Sequence, residues 1–236
     1  MFKLTKLFTF VVISFALFGC YNKGELKTNI QDGYDKARAN TQAKGDFCYY
    51  LGSVQFPYTD EPLLEDDSQW TVWNKEDLAK TLPLFTDIGL LTREPVAGQP
   101  GLYHYDLTEL GQEYQHPFPK QYSNGIIYNN AFCYGIIKLD NVTDVKEREV
   151  GGGSGNANTK RTEIYVRYDY HVIDIPEWVT HSQKKLDALY PQFTVMQTGT
   201  RYSDTKTFYK GRDGSLYQDS LSYFLIKQSG ELLESE

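Results

Sequence analysis

The sequence predicts an α+β protein, with a helix and hairpin in its first half and an antiparallel sheet with one packed helix in its second. Three observations lead there. Across 162–173, Ile164, Val166, Tyr168, Tyr170 and Val172 alternate with Glu163, Tyr165, Arg167, Asp169 and His171, the period of a strand with one core face and one polar face. Leu78, Leu82, Phe85 and Ile88 instead fall on one side of a helix. The aromatic content comes from 19 Tyr and 13 Phe against 3 Trp, a composition that suits strands. With 40% hydrophobic and 23% charged residues, the chain is not disordered, collagen-like or a multi-span membrane protein. Its 236 residues suffice for one globular unit of ordinary size or two small ones.

The N-terminal stretch MFKLTKLFTFVVISFALFGC places Lys3 and Lys6 ahead of an uncharged apolar run, Leu7 to Phe18. That run is too short to span a bilayer as a helix, which needs about 20 residues, and it fits a signal peptide over 1–19. Leu17-Phe18-Gly19-Cys20 resembles the lipobox of bacterial lipoproteins. The resemblance implies lipidation of Cys20, lasting attachment through several acyl chains, and a place in the cell envelope. Tyr21, where Asp would favour the inner membrane, implies the outer membrane, with the body facing the periplasm. A soluble periplasmic product is the alternative, because Phe18 is larger than the residue usual at its place. Loss of Lys3 and Lys6 leaves 24 − 2 = 22 basic against 31 acidic residues, a net charge of −9. So acidic a chain lacks the basic face that phosphate contacts require, which argues against a nucleic-acid partner.

Residues 21–45 are polar, with Leu26 and Ile30 their only large aliphatics, and read as a tether with helical turns around 30–43. Phe47 to Tyr58 reads as one or two strands broken by Gly52 and Pro57. The carboxylates of Asp60, Glu61, Glu65, Asp66 and Asp67 lack the ligand alternation of an EF-hand and read as a solvated loop. Asn74 is placed to cap a helix, Pro83 to break or kink it, and Gly89 to end it. A hairpin then runs from Leu90 to Leu107 through Pro95–Gly101, and Thr108 caps a short helix to Tyr114.

Gly89-Leu90-Leu91 and Tyr105-Asp106-Leu107-Thr108-Glu109-Leu110-Gly111 resemble the helix, "GLL", wing and "Y-x-LT-x-x-G" run of winged helices over 77–114. The resemblance implies a winged-helix-like region over 46–122. Its usual DNA-binding role does not carry over to an acidic, exported segment without a basic recognition helix. The role implied here is protein binding or structure.

Gln115–Gly125, rich in Pro, Gly and polar residues, reads as the boundary before a second region over 126–236. There, Ile126–Leu139 and Val142–Val150 suit strands, and 151–158 is a flexible connection that matches neither a nucleophile elbow nor a phosphate loop. The alternating strand 162–173 follows. A helix spans Pro176–Tyr190, and strands are expected at Phe193–Arg201, Thr205–Lys210 and Ser215–Lys227, with Asp213-Gly214 turning between the last two.

Besides Cys20, the cysteines are Cys48 and Cys133, both in aromatic strand-like settings. An oxidising compartment favours a bridge between them, and two inert buried thiols are the other reading. Neither lies next to a His or a basic residue that would activate a thiolate. Glu163, Arg167, Asp169 and His171 share one strand face that suits acid–base chemistry, although a solvated face has the same composition. His104, His116, His171 and His181 show no metal-ligand spacing, so no metal or cofactor is expected. Tyr49, Tyr50, Tyr103 and Tyr105, on the first strand and the wing, are the candidate contact residues, since Tyr is enriched at interfaces.

The resulting expectation is a lipid-anchored envelope protein, more a binding or structural module than an enzyme. Its partners are the membrane, through its lipid, and another macromolecule. An immunity-type protein that blocks a basic toxin is one form of this. The competing expectation is a periplasmic enzyme or ligand-binding lipoprotein with a cleft between its two halves.

Overall fold

A computed structural model describes residues 21–122, 125–151, 161–191, 195–211 and 213–217. The expected signal peptide and lipidated Cys20, most of the Gly-rich connection and the expected strand beyond Tyr217 lie outside the described residues. The chain is mixed α and β, with antiparallel sheets throughout.

The expected tether is instead helix α1 (Lys23–Thr41), capped by Asn22, whose side chain accepts the Gly24 and Glu25 N–H groups. It buries Leu26, Ile30, Gly33, Tyr34 and Ala37, a stripe at helical spacing built largely of small and aromatic residues. The stripe packs on the long strand of the second half. Gln31 bonds the Ile137 carbonyl and the Leu139 N–H, and Lys23 bonds the Thr143 carbonyl, covering that strand's free edge. Beneath the helix, the Tyr34 and Tyr168 hydroxyls meet at 2.7 Å, and Tyr168 donates to Asp204.

Strand β1 (Phe47–Ser53) carries a bulge at Gly52, whose φ of 125° suits glycine. After the short β2 (Tyr58–Thr59) comes α2 (Gln69–Ile88). The α2 helix begins five residues before the expected cap Asn74. Ser68 caps it, accepting the Thr71 N–H. Asn74 lies inside the helix and clamps it to β1, accepting the Ser53 N–H and donating to the Ser53 carbonyl. Pro83 does not break the helix, because the carbonyl it cannot pair belongs to Ala79 on the exposed side. Gly89 ends it as expected, with φ 90° and its N–H returning to the helix. The hairpin β3 (Leu91–Pro95) and β4 (Tyr103–Leu107) and the helix α3 (Glu109–Tyr114) follow, and β2 extends the hairpin in the order β2-β4-β3.

The expected boundary at 115–125 is not a linker. Gln115–Tyr122 forms β5, paired with β6 (Gly125–Tyr134), which also pairs with β1. Pro117 and Pro119 are tolerated because β5 is an edge strand and their missing N–H groups, two residues apart, fall on the same side. Sheet β1-β6-β5 thus joins the two expected regions. Cys48 stands directly opposite Cys133 on it, and their sulfurs are bonded at 2.06 Å. A crosslink between residues 85 apart is worth about 2–4 kcal/mol.

The second sheet runs β10-β9-β8-β7, from β7 (Ile136–Val150), β8 (Arg161–Ile173), β9 (Arg201–Lys210) and β10 (Leu216–Tyr217). β8 buries Ile164, Val166, Tyr168, Tyr170 and Val172, the face its alternation predicts. The expected helix over Pro176–Tyr190 is two, α4 (Glu177–His181) and α5 (Gln183–Leu189), parted at Ser182. Residues 195–200 are not strand, and β9 begins at Arg201. Among the described residues, one large hydrophobic core takes residues from α1, α2, β1, β6, β8, α4 and α5, and a small second cluster gathers Cys48, Ala131 and Cys133.

Candidate functional site

The four candidate tyrosines separate into two kinds. Tyr49 is fully buried, its ring stacked 5.6 Å from Tyr134 and packed against Tyr190, Trp178 and Phe85. Tyr105 is buried against Tyr58. Both are core residues and present no surface to a partner. The alternation that faces Phe47, Tyr49 and Leu51 inward leaves Tyr50 outward, where its hydroxyl donates to Asn129. Tyr103 is half-buried on the wing under the Arg93 guanidinium, 4.5 Å from the ring centre.

The polar face of β8 divides into separate pairs. Glu163 is held by Arg161 and Tyr165, Asp169 accepts the Ser203 hydroxyl, and His171 Nδ1 lies 2.8 Å from Asp140, which also meets Arg201. His104 bonds Thr59 on the wing, and His116 is buried on β5 against Phe118. Among the described residues, no three His, Cys, Asp or Glu side chains gather in a metal-binding arrangement.

Among the described residues, two clefts bear on ligand binding. The larger, about 660 Å³, lies between the end of α1, α3, and the start of β7, lined by Arg38, Lys44, Glu113, Tyr114, Ile136 and Asp174 among others. Its cations are engaged. Arg38 pairs with Asp35 and forks onto Asp46, while Lys44 bonds Glu113 at 2.6 Å and lies over the Tyr114 ring. Asp46 also accepts the Ile137 N–H, and burial raises its pKa against these partners. This cleft is thus lined by a joint that ties α1 to β1 and β7. No histidine lines it.

The smaller cleft, about 270 Å³, lies between residues 58–63, α2 and the wing turn. Tyr58, Leu63, Ala79 and Leu102 line it together with Asp60, Glu61, Lys75 and Glu76. The Tyr58 hydroxyl is pushed up to about 12, first by burial and then by Asp60 and Glu61. Large apolar side chains are exposed on the segment that lines this cleft and on α2. Leu63 and Leu64 are each 57% exposed, Trp70 52% and Trp73 59%. Trp70 and Trp73 lie three residues apart on one side of α2, while the 60–63 segment runs along its other side. Leaving half of a Trp side chain in water forgoes roughly 2–3 kcal/mol of burial.

The segment that presents Leu63 and Leu64 is ordered from within. Lys75 bonds the Pro62 carbonyl at 2.9 Å and Asp67 at 3.0 Å. Asp67 in turn accepts the Leu64 N–H, and that bond, followed by Lys75, holds its carboxyl below the ordinary range. Sequence reasoning makes the stretch from Phe47 to Trp73 and the wing the first suspects for partner contact, through exposed Tyr and acidic patches, but does not single out Leu63, Leu64, Trp70 or Trp73. The available signal was Trp73, five residues before Leu78 and so about 140° around the helix from the core stripe.

No family model, curated protein or solved structure matches this chain.

Proposed function

We propose that the chain is a lipid-anchored envelope protein, attached through Cys20, whose body binds another protein. The observation that carries this reading is the outward exposure of Leu63 and Leu64 on the segment before α2 and of Trp70 and Trp73 on the helix itself. Large apolar groups held outward on an ordered scaffold are what a partner-binding face requires. The disposition of the titratable groups favours binding over catalysis. The four histidines sit on β4, β5, β8 and α4, and neither cleft contains one. An immunity-type role is a specific form of this proposal, supported by the acidic charge alone.

We also propose that residues 77–114 form a winged-helix-like unit used for protein contact. Support comes from how its two motifs meet. Thr108 donates to the Gly89 carbonyl at 2.7 Å, its N–H bonds the Leu90 carbonyl, and Leu91 pairs with Leu107. Gly111 packs so closely that a Cβ there would sit 2.0 Å from the Leu90 oxygen.

Cross-linking of the native, membrane-extracted protein followed by mass spectrometry tests the reading. The expected result is an N-terminal Cys20 peptide carrying lipid and a reproducible cross-linked protein. An unmodified N-terminus would remove the anchor from the proposal, and the absence of a specific cross-linked protein would remove the binding role.

A further inference from the structure

The chain enters the fold at a fixed place. Tyr21, the residue after Cys20, donates to the Glu147 carboxylate at 2.7 Å, and the Lys210 ammonium lies 5.7 Å from its ring centre. Lys210 also meets Glu147 at 3.5 Å, and Lys23 bonds the Thr143 carbonyl. Neighbouring Cα atoms are about 3.8 Å apart, which ties any anchor at Cys20 to this spot. The spot marks one end of the second sheet, where β7 stops at Val150, β8 starts at Arg161 and β9 stops at Lys210.

Strand register assembles the surface there. Arg148 stands opposite Glu163, Glu163 opposite Tyr209, and Tyr209 opposite Tyr217, one row across all four strands. Ile164 and Phe208, the next pair along β8 and β9, are buried, so the row lies on the face away from the core. Arg161 sits beside the row, its guanidinium 2.8 Å from Glu163 and 4.9 Å from the Tyr209 ring centre. The Tyr209 and Tyr217 rings are 5.8 Å apart, and Tyr217 is 50% exposed. Arg148 and Arg161 are exposed as well. Tyrosine rings beside cations on aliphatic stems are the groups that favour the layer between water and hydrocarbon.

The charge of this end differs from that of the rest. Segments 21–23, 144–150, 161–163, 208–210 and 216–217 hold Lys23, Lys146, Arg148, Arg161 and Lys210 against Asp144, Glu147, Glu149 and Glu163, so 5 − 4 = +1. Without Lys3 and Lys6 the chain carries −9, which leaves −9 − 1 = −10 on the remainder. Glu147 is engaged by Tyr21 and Lys210, Glu163 by Arg161, and Asp144 by Lys146 at 3.1 Å. An anionic bilayer repels the remainder of the chain but not this end.

We infer that this end of the sheet rests on the bilayer, with Tyr209 and Tyr217 in the headgroup layer and Arg148 and Arg161 on lipid phosphates. The inference rests on the anchor at Cys20 proposed above and names the surface that faces the membrane. The other end of β8, at Ile173, lies about 40 Å from Arg161 along the strand.

With Cys48 bonded to Cys133 and Cys20 lipidated, none of the three cysteines offers a thiol, so one introduced Cys takes a fluorophore alone. The sites are Val150→Cys, at this end, and Thr180→Cys, exposed on α4 beyond Ile173. Each labelled protein, its lipid verified by intact mass, is placed in phosphatidylcholine nanodiscs that contain a headgroup-nitroxide lipid as quencher. The headgroup layer is only about 5–7 Å deep, so quenching at least about threefold stronger at Val150→Cys than at Thr180→Cys is expected. Tyr217→Ser with Arg148→Gln, both at exposed side chains, should at least about halve that ratio by removing interfacial groups. A body merely hung from its lipid would be indifferent to those substitutions. Equal quenching at the two sites, stronger quenching at Thr180→Cys, or an unchanged ratio in the double variant overturns the inference. Self-association in detergent that the double variant abolishes puts a second copy on this end and overturns it as well. A lipidated protein that fails in any of these ways keeps its anchor and loses only the contact surface. An intact mass without lipid removes the anchor and this inference with it.

Discussion

His116 shows how one side chain couples this fold to pH. It lies on β5 opposite Ala131, is 7% exposed, and meets the Phe118 ring edge-on at 4.3 Å. Burial lowers its pKa, so the folded protein holds it neutral at pH values where the unfolded chain protonates it. The unfolded state then binds more protons, and stability falls as pH drops through about 6.5 towards the lower folded value. The slope this one group contributes is at most about 1.4 kcal/mol per pH unit. His116→Gln removes it, so the loss of stability between about pH 7.5 and pH 5.5 is smaller than in wild type. Urea midpoints at the two pH values check this, and equal losses in the two proteins would refute it. By sequence the imidazole reads as part of a Pro-rich loop, since Pro117 and Pro119 follow it. Only the pairing of β5 with β6 puts it in a strand.

At the scale of elements, the α2–wing joint shows local rules at work. Gly89 stops the helix because it accepts a left-handed conformation, and Thr108 caps α3 through the Gly111 N–H. Thr108 also crosses to the Gly89 carbonyl, so one hydroxyl serves two elements. Thr108→Ala should cost about 1–2 kcal/mol in chemical denaturation, against about 1 for loss of a cap alone. A loss near zero would mean that the joint does not depend on this hydroxyl. These positions were legible because caps and glycine stops act over a few residues. The start of α2 was not, since Asn74 has the chemistry of a cap but spends it on Ser53, twenty-one residues away. The break between α4 and α5 was also missed, and neither helix has a side-chain cap to mark it.

For the whole molecule, the decisive element is α1. It reads as a spacer because only Leu26 and Ile30 are large and aliphatic, yet it closes the core over β7 and β8. A spacer tolerates charge, whereas a core helix does not. Ile30 is completely buried, so Ile30→Asp should destabilise the fold by about 4 kcal/mol or more, measured by denaturant or thermal unfolding. Unchanged stability would restore the spacer reading. The same arrangement places the body close to any anchor at Cys20, because α1 begins at Lys23 and little chain is left to act as a tether.

What the sequence determined by itself was the local order: an α+β chain, the inward face of β8, the glycine stop of α2, the cap of α3 and the hairpin between them. Each follows from periodicity or from a side chain satisfying a backbone group within a few residues. The tertiary structure alone decided that Cys48 meets Cys133, that β5 and β1 flank β6, that α1 belongs to the core, and that Tyr49 and Tyr105 face inward while Trp70 and Trp73 face out. Those outcomes depend on pairings between segments distant in sequence. The free energy of burial selects them only once the whole set of faces is competing for one core.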